Sequence, residues 1–139
     1  MSLHVTLVSA ERRIHDGKAE MVFAPAAAGE VGVLPQHAPM LTLMRPGAVR
    51  IRPPGGGELS FFVSGGILEV QPDRVTILSD TVLRGEDIDE READEARMQA
   101  ERALKGEREK LDYAEAYAQL TEALAKLRVV KLMKARLGE

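Results

Sequence analysis

The chain changes its hydrophobic rhythm once. In the first 85 residues apolar positions recur in period two. Leu3-His4-Val5-Thr6-Leu7-Val8 alternates, and Ala19-Glu20-Met21-Val22-Phe23-Ala24 reads as a second strand. Gly47-Ala48-Val49-Arg50-Ile51-Arg52 puts Val49 and Ile51 on one face and Arg50 and Arg52 on the other. Pro53-Pro54-Gly55-Gly56-Gly57 is a turn leading into Leu59-Ser60-Phe61-Phe62-Val63. Ile67-Leu68-Glu69-Val70 and Val75-Thr76-Ile77-Leu78 flank Pro72-Asp73, a hairpin with Pro placed in its turn. Short strands with turns this frequent predict an antiparallel sandwich or barrel. The stretch from Gly29 to Pro39, dense in Gly and Pro, reads as a shaped loop.

After Gly85 the period becomes helical. All seven prolines and ten of the twelve glycines lie at or before that residue, and both residue types are poor in helix interiors. Asp89-Glu90-Arg91-Glu92 has capping-box spacing, with the acidic first turn placed at the positive end of the helix dipole. Ala93, Ala96, Ala100, Ala103 and Leu104 fall on one face, and Gly106 suits a helix end. Asp112-Tyr113-Ala114-Glu115 repeats the cap, and Tyr113, Tyr117, Leu120, Leu124 and Leu127 then step by 4, 3, 4, 3. The expected arrangement is a helical hairpin with an alanine face against a Tyr/Leu seam. Past Leu127 the seam is interrupted by Lys131 and Lys134. The end of helix 2 either docks elsewhere or frays, and fraying is the simpler reading of the periodicity. The fold class is therefore α+β: an N-terminal antiparallel β-sandwich (1–85), then a C-terminal two-helix antiparallel hairpin (86–139).

Composition narrows the function. Apolar content is 45% with only 4% aromatic residues, so the core is built from aliphatic side chains. There is no cysteine and hence no disulfide. No apolar run approaches the roughly 18–20 residues needed to span a bilayer, and the first residues resemble no signal peptide. A soluble chain is expected, reaching membranes only through a partner. The net charge of −3 gives no nucleic-acid footprint. Its distribution is uneven: Glu86 to Glu95 is mostly acidic, whereas Lys126, Arg128, Lys131, Lys134 and Arg136 form a basic run without an acid.

Catalytic chemistry is missing from the pattern. His4, His15 and His37 share no ligand spacing. Asp87, Asp89 and Glu90 lack the central Gly and the closing Glu of a calcium loop. No Gly-rich stretch leads into Lys-Ser or Lys-Thr, and Ser60, Ser64 and Ser79 form no nucleophile elbow. No enzyme, metal or cofactor is expected.

Several stretches, in order, resemble the epsilon subunits of bacterial and organellar F-type rotary ATP synthases. They are Gly29-Glu30-Val31-Gly32-Val33-Leu34-Pro35-Gln36-His37-Ala38-Pro39, Arg45-Pro46-Gly47, Ser64-Gly65-Gly66-Ile67-Leu68-Glu69-Val70, Leu78-Ser79-Asp80-Thr81 and Leu127-Arg128-Val129-Val130-Lys131. The resemblance implies a ten-stranded sandwich at the foot of the central stalk, against the gamma subunit and the c-ring loops. It implies a hairpin that lies folded on the sandwich or extends among the alpha/beta catalytic subunits to block ATP hydrolysis. It places the chain peripherally, on the cytoplasmic face of the bacterial inner membrane or an organellar equivalent. By the same resemblance Glu30 faces the c-ring loops and His37 lies near gamma and the ring; the plainer reading of Glu30 is a solvated turn residue. The five basic-run cations become regulatory contacts to an acidic segment of the catalytic subunits, the plainer reading being compensation of the helix dipole.

One departure concerns nucleotide. ATP-binding members carry Ile/Leu-Asp-x-x-Arg-Ala at the start of helix 1. Here Ile88, Asp89 and Ala93 agree, but Glu92 replaces the Arg, and Glu122 and Lys126 stand where such members place Arg. A carboxylate repels phosphate, so no nucleotide site is expected and Glu92 is read as the capping partner of Asp89. The alternative function is an unrelated β-anchored probe protein whose hairpin inhibits another enzyme.

Overall fold

A computed structural model describes residues 1–106 and 113–136. Ten strands precede the helices: β1 (Leu3–Val8), β2 (Arg13–Ala19), β3 (Met21–Ala26), β4 (Gly29–Val33), β5 (Met40–Met44), β6 (Gly47–Arg52), β7 (Leu59–Val63), β8 (Gly66–Gln71), β9 (Arg74–Leu78) and β10 (Val82–Arg84). A 3-10 turn, Gly85–Asp87, leads to α1 (Glu90–Leu104) and α2 (Tyr113–Arg136).

The strands run in the order β10-β7-β6-β3-β5-β8-β9-β1-β2, with β4 paired outside β3. Only Ala26 and Met44 join β3 to β5, and there the sheet folds over on itself. Pro25 sits at this fork, between the residues that pair with β6 and the one that pairs with β5, where a missing N–H is tolerated. The two halves then face each other as a sandwich. Leu3, Val5 and Leu7 from one half meet Val22, Val49, Ile51 and Phe61 from the other in one core. The period-two pattern is thus satisfied: every second side chain enters this core.

The structure corrects several expectations. The sheet is not antiparallel throughout, because β1 runs parallel to β9. The stretch 29–39 is not all loop, since its first five residues form β4 against β3. The second expected strand is shifted to Met21–Ala26. β2, β5 and β10 had no counterpart in the sequence reading. β2 (Arg-Ile-His-Asp-Gly-Lys-Ala) is an edge strand that buries only Ile14 and Ala19, so its alternation carries little apolar signal.

Asp89 caps α1 as expected, its Oδ1 accepting from the Glu92 N–H at 3.1 Å. No return bond from the Glu92 carboxylate occurs among the described residues, so half of the capping box is made. Gly106 takes φ +80° at the end of α1, a left-handed C-terminal position. The second cap, at Asp112, lies outside the described residues.

The helix seam is different from the one expected. Tyr113 and Tyr117 are 69% and 59% exposed, and Leu124 is exposed as well. What α2 buries is small: Ala116, Ala123, Ala125, Val129 and Val130. Ala125 and Val129 pack on Ala48 of β6 and Phe62 of β7. Ala116, Ala123 and Val130, seven apart, lie on the side of α1, whose own buried residues are Ala93, Ala100 and Ala103. Alanine therefore faces small residues, with Tyr113, Tyr117 and Leu124 left outside and Leu120 and Leu127 half-buried. Ala96, expected in the seam, is exposed. The end of α2 is not frayed. It docks on the sandwich, where Gly85 lies so close beneath it that a Cβ there would be 3.4 Å from Val129 and 3.2 Å from Met133 Sδ.

Candidate functional site

The residues singled out in the sequence fall at three places. The first is the edge formed by β4. Glu30 stands beside the β3–β4 turn, opposite Pro25, and its Oε1 accepts from Arg50 Nη2 at 3.1 Å. His37 lies beyond the far end of β4, where its Nδ1 is 2.7 Å from the Ala38 carbonyl oxygen. The loop around it is shaped by Gln36, at φ +69°, whose N–H donates to the Pro72 carbonyl. Glu30 and His37 thus mark two ends of one edge and share no bond among the described residues.

The second place is a cleft of about 350 Å³ between α1 and α2, roofed by the start of α1. Its charged lining is Asp87, Asp89, Glu92, Glu122 and Lys126. Lys126 Nζ is committed to Glu122 at 3.1 Å and lies over the Phe62 ring at 5.4 Å. Ile88 and Ala93 also line the cleft. Four carboxylates against one paired ammonium make a cavity of the wrong sign for a polyphosphate.

The third place is the basic run, which the structure divides. Lys134 Nζ pairs with Glu90 at 2.7 Å, tying the end of α2 to the start of α1. The Arg136 guanidinium lies on the glycine turn, Nη2 being 3.0 Å from where a Gly57 Cβ would stand. Lys126 is held as described. Arg128 and Lys131 are exposed, and Arg128 lines a shallow cleft of about 250 Å³ together with Glu30, Arg45 and Pro46. The helix therefore uses part of the run to hold itself down and leaves the rest in solvent.

A fourth feature was missed in the sequence. Leu43, Ile67 and Leu78 are cross-strand partners on β5, β8 and β9, and Leu78 pairs with Val8 of β1. They form an apolar row on the outer face of the sandwich half that carries no helix, with Leu41 (71% exposed) and Leu43 (66%) at its end. The signal was present in Met40-Leu41-Thr42-Leu43-Met44, which is apolar on both strand phases. A strand that buries one face needs only one apolar phase. The surplus marks an exposed apolar patch on the second face.

Three comparisons with known proteins fit this geometry. The family described as ATP synthase, Delta/Epsilon chain, beta-sandwich domain matches residues 2–85, and its long alpha-helix domain matches residues 86–131. The ATP synthase epsilon chain of Nitrosococcus oceani is 51% identical over 138 residues, covering 99% of both chains. That of Nitrosospira multiformis is 52% identical over 133 residues, covering 96% of each. The same fold occurs in a solved chain of the Euglena gracilis mitochondrial ATP synthase, in a structure of OSCP, F1 and the c-ring. Its TM-score is 0.71 at 22% identity, over 98% of this chain and 81% of that one. A chain of the Tetrahymena thermophila mitochondrial ATP synthase central stalk and c-ring gives a TM-score of 0.57 at 18% identity, over 96% of each chain. With both parts matched in chain order and about half of its residues shared with epsilon chains end to end, this protein belongs to the ATP synthase epsilon chain family.

Proposed function

We propose that the chain is a non-catalytic central-stalk subunit of a proton-translocating ATP synthase. Its sandwich (1–85) binds the rotor, and its hairpin (86–139) regulates ATP hydrolysis. The apolar row Val8–Leu78–Ile67–Leu43 seats a gamma-type shaft, and the edge carrying Glu30 and His37 meets gamma and the polar loops of the c-ring. Among the described residues no helix is long and apolar enough to cross a membrane, and the proposed placement is peripheral, at the cytoplasmic face of a bacterial inner membrane, through the complex.

The observation that carries the regulatory part is the way the hairpin is docked. It rests on the sandwich through Ala48, Phe62, Ala125 and Val129, with Leu83, Ile88 and Leu132 around them. Full burial of a large apolar side chain is worth only about 1.5–3 kcal/mol, and Phe62 alone among these four residues is large. The Tyr113–Leu124 stripe stays uncovered meanwhile. A thin docked interface beside an unused apolar stripe is what a hairpin with two resting places requires. In the extended state the stripe and the exposed cations Arg128 and Lys131 meet the catalytic alpha/beta subunits. Nucleotide plays no part in the switch here, because the cleft at Glu92 repels it.

The experiment is an ATPase assay of the reconstituted catalytic complex, with the full chain and with a chain ending at Gly85. The full chain inhibits hydrolysis and the short one does not, although both bind. Equal hydrolysis with either would remove the regulatory role.

A further inference from the structure

Arg50 is placed where the rotor-facing edge is built. It sits on β6 directly opposite Phe23 of β3, and its Cζ lies 4.0 Å from the centre of the Phe23 ring. One end of its fork donates to Glu30 at 3.1 Å, and the other pairs with Glu58 at 3.5 Å. Arg52 completes an alternating row, pairing with Glu58 at 3.2 Å and lying 4.9 Å over the same ring. Arg50 and Glu58 side chains are each 16% exposed, whereas Glu30 is 42% exposed.

The backbone is shaped to admit this stack. Phe23 pairs across β4 with Gly32, where a Cβ would meet Met21 Cε at 3.1 Å and the Phe23 ring at 3.4 Å. Gly32 therefore leaves room for the ring to lie flat, and the ring in turn is the plate on which the guanidinium lies. The glycine two residues after Glu30 thus serves the group that holds Glu30.

A glutamate on an exposed edge strand ordinarily samples several rotamers, and fixing such a side chain costs conformational entropy. Here the holding group is itself locked by stacking and by Glu58. The bond uses Oε1 of Glu30 and leaves Oε2 without a partner among the described residues. The carboxylate is thus aimed and half-satisfied, ready to accept from a donor on a partner. With Glu30 42% exposed, the pair itself adds little to stability.

We propose that Arg50 is a positioning residue for the rotor contact of Glu30: it pre-orders that carboxylate so that one oxygen remains for a donor on the polar loops beneath. This rests on the reading of Glu30 given above. Arg52, in the same row, shares the Phe23 ring and Glu58 but makes no pair with Glu30 among the described residues, and it is the internal control.

The test measures binding of the full chain to an assembled gamma–c-ring rotor, with thermal unfolding of each variant recorded alongside. Glu30→Gln and Arg50→Gln should each weaken binding by about tenfold, the scale of one charge-assisted hydrogen bond. The double variant should be no weaker than the weaker single one, because both changes remove the same contact. Arg50→Lys should fail to rescue, since an ammonium cannot lie flat on the ring and bridge two carboxylates. Arg52→Gln should stay within about twofold of wild type, a difference too small for a lost contact. Wild-type binding by Arg50→Gln, or losses that add in the double variant, would overturn the positioning role and leave Glu30 as the contact. Wild-type binding by Glu30→Gln would remove the contact itself, and the positioning role with it.

Discussion

The sandwich and the hairpin bury different materials. The sandwich closes over Leu3, Leu7, Ile51, Phe61, Leu68 and Ile77, all essentially inaccessible and drawn from strands far apart in sequence. The hairpin buries three alanines in α1 and only alanine and valine in α2. Large residues filling one closed core give a body that opens only as a whole. Small residues on one helix face give an interface that forms closely and separates at little expense. The difference fits the proposed division, in which one part stays fixed and the other lets go.

Separating the two parts has the largest expected effect. A chain ending at Gly85 should fold, because its core cluster contains no helix residue. It should be destabilised by about 1.5–3 kcal/mol, the burial of one large apolar side chain, since Phe62 loses its cover. The helical part alone should show less helicity by circular dichroism than it has on the sandwich, because most helical stability comes from tertiary packing. An unfolded 1–85 fragment would break the comparison.

Prising the hairpin off without cutting it comes next. Gly85→Leu places a side chain against Val129, Met133 and the Ser60 carbonyl. Overpacking of this kind costs about 1–3 kcal/mol, and two of the three contacts, Val129 and Met133, belong to the docked helix. The variant should expose Phe62 to solvent and inhibit ATP hydrolysis more strongly than wild type. Unchanged protection of α2 from hydrogen exchange would show that the interface is looser than it looks.

The cations sharpen the comparison. The family resemblance implies one regulatory array, in which reversing Lys131, Lys134 and Arg136 together weakens inhibition. In the docked hairpin they differ: Lys134 is paired with Glu90, whereas Lys131 is exposed. Lys134→Glu breaks the pair with Glu90 and should shift the balance toward extension by about 0.2–1 kcal/mol, the worth of an exposed pair. Lys131→Glu breaks no ion pair among the described residues and should only weaken inhibition, an effect that fades at high salt. The ATPase assay reads both, and effects of the same sign would remove the division.

Much of this was legible in residues, and the failures have physical causes. Period two at Val49 and Ile51 correctly separated core from surface, and Asp89 announced its cap, because both depend on near neighbours. The Tyr/Leu seam misled because spacing fixes which residues share a face but not which face is covered. Alanine was the partner on both helices, and alanine carries little apolar signal. β4 was hidden by the glycines, which read as turn residues until Phe23 was seen lying over Gly32. Glu30 was found by resemblance, whereas Arg50, twenty residues away, became visible only through pairing across β3.

Smaller effects should follow at the cleft and at the sheet edges. Glu92→Arg should raise affinity for ATP from an undetectable level in calorimetry to a measurable one, and micromolar binding by the unaltered chain would refute the electrostatic reading of the cleft. His15 Nε2 is buried without a partner among the described residues. Burial, and then Arg84, holds the His15 pKa below its usual 6.5. The unfolded chain therefore takes up the proton first, so His15 contributes stability above about pH 6.5 that is lost as pH falls through the folded value. Asp16, lowered by its hydrogen bond to His4, acts in the same direction at more acidic pH. His15→Gln should flatten the decline of unfolding temperature just below pH 6.5; an identical decline would clear His15 of it.

The central claim is that one chain holds a fixed body and a detachable one, and native-state hydrogen exchange measures this directly. The amides of α1 and α2 should exchange through a partial opening of lower free energy than that governing Val5, Ile51, Phe61 and Ile77, and Gly85→Leu should lower the helix value while leaving the strand value nearly unchanged. A single opening free energy shared by helices and strands, moving together in the variant, would contradict the account.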